Sequence, residues 1–276
     1  TGPRTERGYG GFGTDDMDAW TWGLRHHVRF ESVLAAVEEH DKVEQLTPVH
    51  MEIAPTGLPA GRTVVSLQRV SGGHDPEAPV IRDLSLTLTG PERVVIAGPN
   101  GSGKSTLLRA LAGLLLPAAG RIEWEGFDIA ADRDCHRARV AYIGHADPLK
   151  PALTAAENLS FWARIYGFDP DIEPALFQFS IEALADVPVR YLSAGQRRRV
   201  TLARLAIGQN SKAGPALWLL DEPATGLDPG AVSMLANTIL AHLSNEGVAI
   251  VSTHGGRLGE LLDMHADRLD MGGLSA

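Results

Sequence analysis

The 276-residue sequence contains a single cysteine, Cys135, so an internal disulfide is excluded. A chain with one thiol fits a reducing compartment. The cysteine stands in the segment DCHRAR beside His136, and one Cys–His pair is too small a set to indicate a haem or metal site. The segment is interpreted as a surface loop that carries a free thiol.

The sequence also has no long basic run, and its formal net charge is −9. A surface that wraps nucleic acid is usually basic, so a nucleic-acid partner is disfavoured. The longest apolar stretch, LLRALAGLLLPAAG, is interrupted by Arg109 and is shorter than the roughly 20 residues that span a bilayer. No secretory signal is visible. Hydrophobic residues make up 44% and charged residues 21%, as is ordinary for a globular protein, and the length suggests about two domains or one large one.

Two parts of the chain differ in composition. Residues 1–61 begin Gly-rich, contain one helical pattern near residues 29–44, and end in LTPVHMEIAPTGLPAG, which is typical of an extended connector. This part is interpreted as an N-terminal extension of unknown role. Residues 62–272 have the denser pattern of a folded domain.

The folded part begins with alternating strands and continues with buried ones. TVVSLQRV and VIRDLSLTL alternate on either side of a turn, which predicts a small antiparallel sheet with one wet face. RVVIAG, LWLLDEP and VAIVSTH are nearly continuous apolar runs that end in polar residues, as in strands buried on both faces of a parallel sheet. Ligands bind where such strands end, so three polar clusters are expected at one edge.

The first polar cluster is a phosphate-binding loop. GPNGSGKST matches the pattern G-x-x-x-x-G-K-[ST], with a predicted strand before it and a predicted helix after it. The glycines let backbone N–H groups surround a phosphate, and the helix N-terminus adds partial positive charge. Lys104 can reach the β- and γ-phosphates, and Ser105 can ligate Mg²⁺. The expected nucleotide-binding residues of this motif are Gly98, Pro99, Asn100, Gly101, Ser102, Gly103, Lys104, Ser105 and Thr106.

The second cluster, at the end of LWLLDEP, is acidic. Asp221 is expected to hold Mg²⁺ through water, and Glu222 to act as general base for the attacking water. An isolated Asp–Glu pair is more often a solvated turn. The apolar run before the pair and the phosphate loop upstream favour the catalytic interpretation.

The segment LSAGQ, residues 192–196, supplies a second anion site. Ser193 is a candidate N-cap, and the helix behind it offers unpaired backbone N–H groups. Two phosphate-binding elements in one chain suggest a head-to-tail dimer that holds each ATP between the loop of one copy and the capped helix of the other.

These motifs resemble those of ATP-binding cassette (ABC) ATPases. GPNGSGKST is similar to Walker A, LSAGQ to the signature motif, LWLLDEP to Walker B, ATGLD to the D-loop and VSTH to the H-switch, in the order of that family. The resemblance implies an α/β P-loop NTPase fold with a RecA-like core, an antiparallel β subdomain and a helical subdomain near residues 146–200. It also implies a nucleotide-sandwich homodimer in which His254 contacts the γ-phosphate. The residues that it assigns to the ATP across the dimer are Ser193, Gly195, Gln196 and Asp228.

One residue departs from most ABC ATPases. Where they carry a glutamine that touches Mg²⁺ and the attacking water, the loop YIGHADPLK has His145. A neutral imidazole offers one lone pair and one N–H, so His145 is a candidate catalytic residue and metal ligand. The alternative is a solvent-facing histidine at a relaxed position.

The helical subdomain begins with a recognisable pattern. Thr154, followed three residues later by Glu157, predicts a capping box and a helix start. Four apolar residues follow at helical spacing and are interpreted mostly as core: Leu159, Trp162, Ile165 and Tyr166. The alternative is that the surface near Phe161 and Trp162 receives a helix of a membrane partner.

The His145 loop, together with ADVPVRYLSAGQRRRVTLARL and PALWLLDEPATGLD, resembles the ATPase subunit of the cytochrome c maturation system. That resemblance implies ATP-driven haem delivery at the cytoplasmic face of the bacterial inner membrane, with integral membrane permease subunits as partners and with ATP and Mg²⁺ bound. Three alternatives stay open: an ABC ATPase for another small substrate, a soluble one that acts on ribosomes or DNA, and a nucleotide sensor without hydrolysis. The single cassette and the negative charge disfavour the second of these, and Lys104, Glu222 and His254 disfavour the third.

Overall fold

The computed structural model describes residues 63–73, 75, 78–89, 93–168, 171–208, 214–253, 256–263 and 267–271. The proposed extension, with its helical pattern, lies outside the described residues. In chain order the strands and helices are β1 (Thr63–Gly72), β2 (Ile81–Thr89), β3 (Arg93–Ala97), α1 (Lys104–Leu111), β4 (Ala119–Trp124), β5 (Phe127–Asp128), α2 (Arg133–Ala138), β6 (Val140–Ile143), α3 (Ala155–Ile165), α4 (Glu173–Gln178), α5 (Ala194–Ala203), β7 (Leu217–Asp221), α6 (Pro229–Ser244), β8 (Val248–Ser252), α7 (Arg257–Asp263) and β9 (Asp267–Asp270). Short 3-10 helices cover Glu182–Leu184, Val189–Tyr191 and Arg204–Ala206.

The antiparallel sheet has the strand order β2–β1–β4–β5 within the described residues. Apolar side chains of β1, such as Val65 and Leu67, are buried, as the alternating pattern predicts. They pack with Leu107 and Leu108 of α1 in one core. The predicted antiparallel subdomain is therefore confirmed, and it covers the helix that follows the phosphate loop.

The parallel sheet has the order β6–β7–β8–β3–β9, and each neighbouring pair is parallel. β7 and β8 are buried along their whole length, as continuous apolar runs predict. Alternate residues face opposite cores: Leu217 and Leu219 pack towards α1 and the antiparallel sheet, whereas Trp218 and Leu220 pack towards the helices. The sheet thus separates two hydrophobic cores.

The helical side begins at α3, whose first turn is closed by the predicted capping box. The Thr154 hydroxyl accepts a hydrogen bond from the Glu157 N–H at 3.1 Å, and the Glu157 carboxylate accepts one from the Thr154 N–H at 2.7 Å. Trp162 is 1% exposed and Phe161 is half-buried against the same core. The interpretation of Trp162 as a core residue is confirmed.

The interpretation of Cys135 as a loop residue is wrong. Cys135 lies in α2, where Asp132 caps the helix by accepting a hydrogen bond from the Cys135 N–H at 2.9 Å. Its neighbour His136 is buried, with Nε2 2.7 Å from the Leu111 carbonyl oxygen, and burial lowers the pKa of His136 to about 4. Within the described ranges, no group of three or more His, Cys, Asp or Glu residues could hold a metal ion.

None of the helices that the structure describes is both long enough and apolar enough to cross a membrane.

Candidate active site

The carboxyl edge of the parallel sheet collects the polar ends of neighbouring strands. β3 is followed by the phosphate loop (residues 98–103), β7 ends at Asp221, β8 ends at Ser252, and β6 leads into the loop of His145. Because all of these strands run in the same direction, their carboxyl ends meet at one edge. The arrangement brings the ends of the three strands with predicted polar clusters, and the loop of His145, to a common side of the domain.

The phosphate loop has the backbone that its glycines permit. Gly101 and Gly103 have φ angles of 82° and 91°, in the left-handed region that residues with a Cβ rarely adopt. A Cβ on Gly103 would also lie 3.1 Å from the Val80 side chain. Lys104, 5% exposed, folds back into the loop and its Nζ donates hydrogen bonds to the carbonyls of Gly98 and Pro99 at 2.8 and 3.0 Å.

Ser102 supports a phosphate ligand in this loop. Its side chain is 5% exposed, and its Oγ has no hydrogen-bond partner in the part of the chain that the structure describes. A buried hydroxyl without a partner is unfavourable, so a ligand oxygen that accepts from it would stabilise the site. Ser105 is exposed in the first turn of α1 and Thr106 is buried beside it, while Asn100 is exposed at the loop tip.

The acidic pair is held by a residue that the sequence interpretation missed. Ser252 is fully buried at the end of β8, opposite Asp221 in the parallel register. Its hydroxyl donates to Asp221 Oδ1 at 2.7 Å and accepts from the Glu222 N–H at 2.9 Å. One hydroxyl thereby fixes both the buried Asp221 carboxylate and the backbone of the candidate base. The only signal in the sequence was a serine at the end of an apolar run.

Glu222 has an unusual backbone conformation. Its φ is 46°, in a region where a residue other than glycine is uncommon and which recurs at functional sites. The side chain is half-buried and lines a cavity together with Ser252 and Thr253. The turn out of β7 therefore places Glu222 in the lining of this cavity.

The predicted N-cap at Ser193 is present at the start of α5. The Ser193 hydroxyl accepts from the Gln196 N–H at 3.2 Å, and the Gln196 side-chain oxygen accepts from the Ser193 N–H at 2.8 Å. These two bonds form a capping box, which the S-x-x-Q spacing already indicates. Ser193 is exposed, and Gly195 is so close to Gly226 that a Cβ on it would lie 3.3 Å from the Gly226 carbonyl oxygen.

Asp228 has a local role beside the one implied by the family resemblance. It caps α6 by accepting from the Ala231 N–H at 3.0 Å, and its other oxygen pairs with the guanidinium of Arg199 in α5. The Ala231 N–H, and secondarily Arg199, lower the pKa of Asp228. The segment ATGLD is thus tied to α5 within one chain.

One described candidate, His145, does not belong to this network. His145 is exposed in the loop after β6. His254 lies outside the described residues. The loop of His145 is nevertheless connected to the site by Arg198, which donates to the carbonyls of Gly144 and Glu222 at 3.0 and 3.2 Å. Arg198 is the second residue that sequence interpretation missed.

Comparisons with known proteins agree with the motif pattern. The ABC transporter family matches residues 81–225. The cytochrome c biogenesis ATP-binding export protein CcmA of Rhodospirillum rubrum is 46% identical over 64% of this chain and 75% of its own length. The CcmA protein of Ruegeria pomeroyi is 45% identical over 76% of this chain and 90% of its own length.

Solved structures give the same fold. An ATP-binding subunit of an ABC transporter superimposes with a TM-score of 0.65 at 27% identity, over 76% of this chain and 87% of that subunit. A bacterial Atm1-family ABC exporter with ATP bound gives a TM-score of 0.63 at 27% identity, over 81% of this chain and 40% of the exporter. The ABC ATPase fold expected from the sequence is therefore confirmed.

Proposed function

Because this chain belongs to the ABC transporter family and, within it, to the cytochrome c biogenesis ATP-binding export proteins, we propose that it is the ATP-hydrolysing subunit of a membrane complex that delivers haem for cytochrome c biogenesis. The observation that carries this proposal is the 45% identity over 90% of the length of one such protein. Cytochromes c contain haem, so haem is the cargo we assign.

Nucleotide binding is assigned to the phosphate loop. The backbone N–H groups of residues 98–103 and the N-terminus of α1 provide partial positive charge for the phosphates. Lys104 supplies a full charge from a buried position, and the Ser102 hydroxyl supplies a donor that has no other partner among the described residues. The phosphate-binding motif is completed by its other residues: Gly98, Pro99, Asn100, Gly101, Gly103 and Thr106.

Hydrolysis is assigned to Glu222, which takes a proton from the attacking water. Its N–H is bound to Ser252, so the start of the side chain is fixed relative to the phosphate loop. Mg²⁺, when bound, would be held by Ser105 and Asp221, with His145 as a further ligand, and would supply positive charge next to the phosphates. The serine hydroxyl and the carboxylate fit the oxygen preference of Mg²⁺, and His254 is assigned to the γ-phosphate.

The signature helix α5 is assigned to the ATP held by a second copy of the chain. The first N–H groups of a helix have no intrahelical partner, so those of Ala194 and Gly195 can bind a phosphate oxygen beside the Ser193 hydroxyl. The Gln196 side chain stabilises the cap. Asp228 follows Gly226, which lies against Gly195, and this proximity to the signature helix supports assigning Asp228 to the interface between the copies. The homodimer would dock on integral membrane subunits at the cytoplasmic face of the inner membrane.

Genetic replacement tests the cargo. In a bacterium that lacks its own cytochrome c biogenesis ATP-binding export protein, expression of this chain is expected to restore covalent haem on c-type cytochromes, measured by haem-dependent peroxidase staining after denaturing electrophoresis. The Lys104→Ala variant, produced at the same level, is the control and should leave the cytochromes without haem. If the chain is produced, hydrolyses ATP and binds the membrane subunits but restores no staining, the cargo is not haem.

His145→Gln tests the role of the loop after β6. A neutral imidazole offers a lone pair to Mg²⁺ or water, and so does the amide oxygen of glutamine, whereas an alanine methyl offers none. We expect His145→Gln to keep the ATPase rate within about threefold of native, and His145→Ala to lower it at least about tenfold. The measurement is phosphate release at saturating ATP and Mg²⁺. Native turnover in His145→Ala would show that His145 only faces solvent.

A further inference from the structure

Arg198 connects three segments of the site from a buried position. Its side chain leaves α5 and is 4% exposed. Nε donates to the Pro223 carbonyl at 3.2 Å and Nη2 to the Glu222 carbonyl at 3.2 Å. Nη1 donates to the Gly144 carbonyl at 3.0 Å and to Asp147 Oδ1 at 3.1 Å. One guanidinium therefore bridges the signature helix, the turn after β7 and the loop of His145.

On one side, Arg198 completes the restraint on the backbone of Glu222. The Glu222 N–H is held by Ser252, and its carbonyl oxygen is held by Arg198, so the peptide groups before and after this residue are both fixed. The positive φ of Glu222, 46°, is a conformation that needs such external support. The direction in which the carboxylate leaves the backbone thus depends on Arg198.

On the other side, Arg198 holds the loop of His145 at the residues before and after the histidine. Gly144 immediately precedes His145, and Asp147 follows it by two positions. Asp147 also supplies the carboxylate that compensates the buried charge of Arg198. The planar guanidinium can donate in several fixed directions at once, which the single ammonium of a lysine cannot do.

We propose that Arg198 is a positioning residue that fixes the Glu222 turn and the His145 loop to the signature helix, so that the base faces the attacking water when α5 engages the ATP of the second copy. This inference rests on the proposed function, and it adds a residue that acts on the hydrolysis step without contacting nucleotide. Arg198 touches neither the phosphate loop nor Lys104 in any of its bonds.

Arg198→Gln in the purified full chain separates hydrolysis from binding. We expect kcat to fall at least about tenfold, because a positioned base contributes about 10² to 10⁴ in rate and loses part of this when misplaced. ATP affinity, measured with a fluorescent nucleotide analogue, should stay within about twofold. Because the variant binds ATP but hydrolyses it slowly, an ATP-bound dimer should accumulate in size-exclusion chromatography with light scattering. A general loss of structure would not produce that dimer.

Two further variants make the test specific. Arg197→Gln is the matched control, because Arg197 lies in the same helix but donates to the Leu192 carbonyl, and its kcat should stay within about twofold of native. Asp147→Asn should lower kcat by about threefold and should add nothing further in the Arg198→Gln background, since both substitutions break the same connection. If Arg198→Gln does not fold, Arg198→Lys replaces it, and its kcat should be at least about threefold below native because an ammonium cannot reproduce the fixed geometry of the guanidinium.

The outcomes are distinguishable. Native kcat in Arg198→Gln or Arg198→Lys, or a loss of ATP affinity in parallel with kcat, would overturn the positioning role. A fully additive double substitution would overturn the connection through Asp147. If Glu222→Gln also fails to accumulate an ATP-bound dimer, the proposed sandwich mechanism itself fails; if Glu222→Gln accumulates the dimer and Arg198→Gln behaves like the native chain, only the inference about Arg198 fails.

Discussion

Lys104→Ala is expected to lower kcat/KM for ATP by at least about 10³, equivalent to about 4 kcal/mol of lost transition-state stabilisation. The substitution removes the ammonium that the fold buries at the phosphate loop, where it donates to the carbonyls of Gly98 and Pro99. Charge that develops on the transferred phosphoryl group then loses the fixed positive charge of the lysine, and the other groups assigned to the phosphates compensate it less well. Phosphate release and nucleotide binding are measured in parallel.

Lys150→Ala is the matched control for this change. The Lys150 side chain lies over the Phe161 ring, 5.7 Å from its centroid, on the helical side of the domain. The turnover of Lys150→Ala should stay within about threefold of native. Circular dichroism and thermal unfolding confirm that both variants fold. Native turnover in Lys104→Ala would refute the role of Lys104 at the phosphates.

Glu222→Gln is expected to lower kcat at least about 10²-fold and to accumulate an ATP-bound dimer. The amide has nearly the size of the carboxylate but cannot take a proton from water. The contacts of Glu222 with Ser252 and Arg198 are made by its backbone, so the substitution leaves the turn in place. ATP binding and association of two copies should therefore persist when hydrolysis stops.

Light scattering at millimolar ATP measures the association. Glu260→Gln removes the same charge from an exposed position in α7 and should remain monomeric while hydrolysing ATP at the native rate. Glu222→Gln that binds ATP and stays monomeric would contradict the nucleotide sandwich, and Glu222→Gln with native turnover would contradict the assignment of the base.

The sequence predicts the parts of the site that depend on local pattern. The phosphate loop between a strand and a helix, and the helix that begins at Ser193, can both be predicted from the sequence. The reason is that backbone conformation and capping are set by residues a few positions apart. The buried strands that end at Asp221 and Ser252 follow from continuous apolar runs. These features require no knowledge of which segments meet in three dimensions.

The three consecutive arginines 197–199 show where local pattern is insufficient. They are chemically identical and adjacent in sequence, but each residue of a helix points about 100° away from the previous one. Arg197 consequently binds the Leu192 carbonyl, Arg198 is buried between two loops, and Arg199 pairs with Asp228. Which of the three arginines is buried is decided by how α5 packs against the loops that follow β6 and β7.

The misassigned segment DCHRAR has a related explanation. Six residues are too few to give a helical period, so the segment is indistinguishable from a loop by periodicity. The cap at Asp132 and the burial of His136 under the C-terminus of α1 stabilise the helix. The cap joins residues three positions apart, whereas the burial of His136 depends on a contact between residues 25 positions apart.

Because β7 and β8 are buried on both faces, a shift in their pairing register is unfavourable, and this keeps the site residues at their ends aligned. Side chains alternate between faces with a period of two, so a shift of β7 by one residue would exchange Trp218 with Leu219 and disturb both hydrophobic layers at once. The same shift would move Asp221 off its position opposite Ser252. Packing on both faces of the sheet therefore disfavours a mispaired register even without bound nucleotide. The distance between the Asp221 carboxylate and the Ser252 hydroxyl is consequently set by the pairing of β7 with β8.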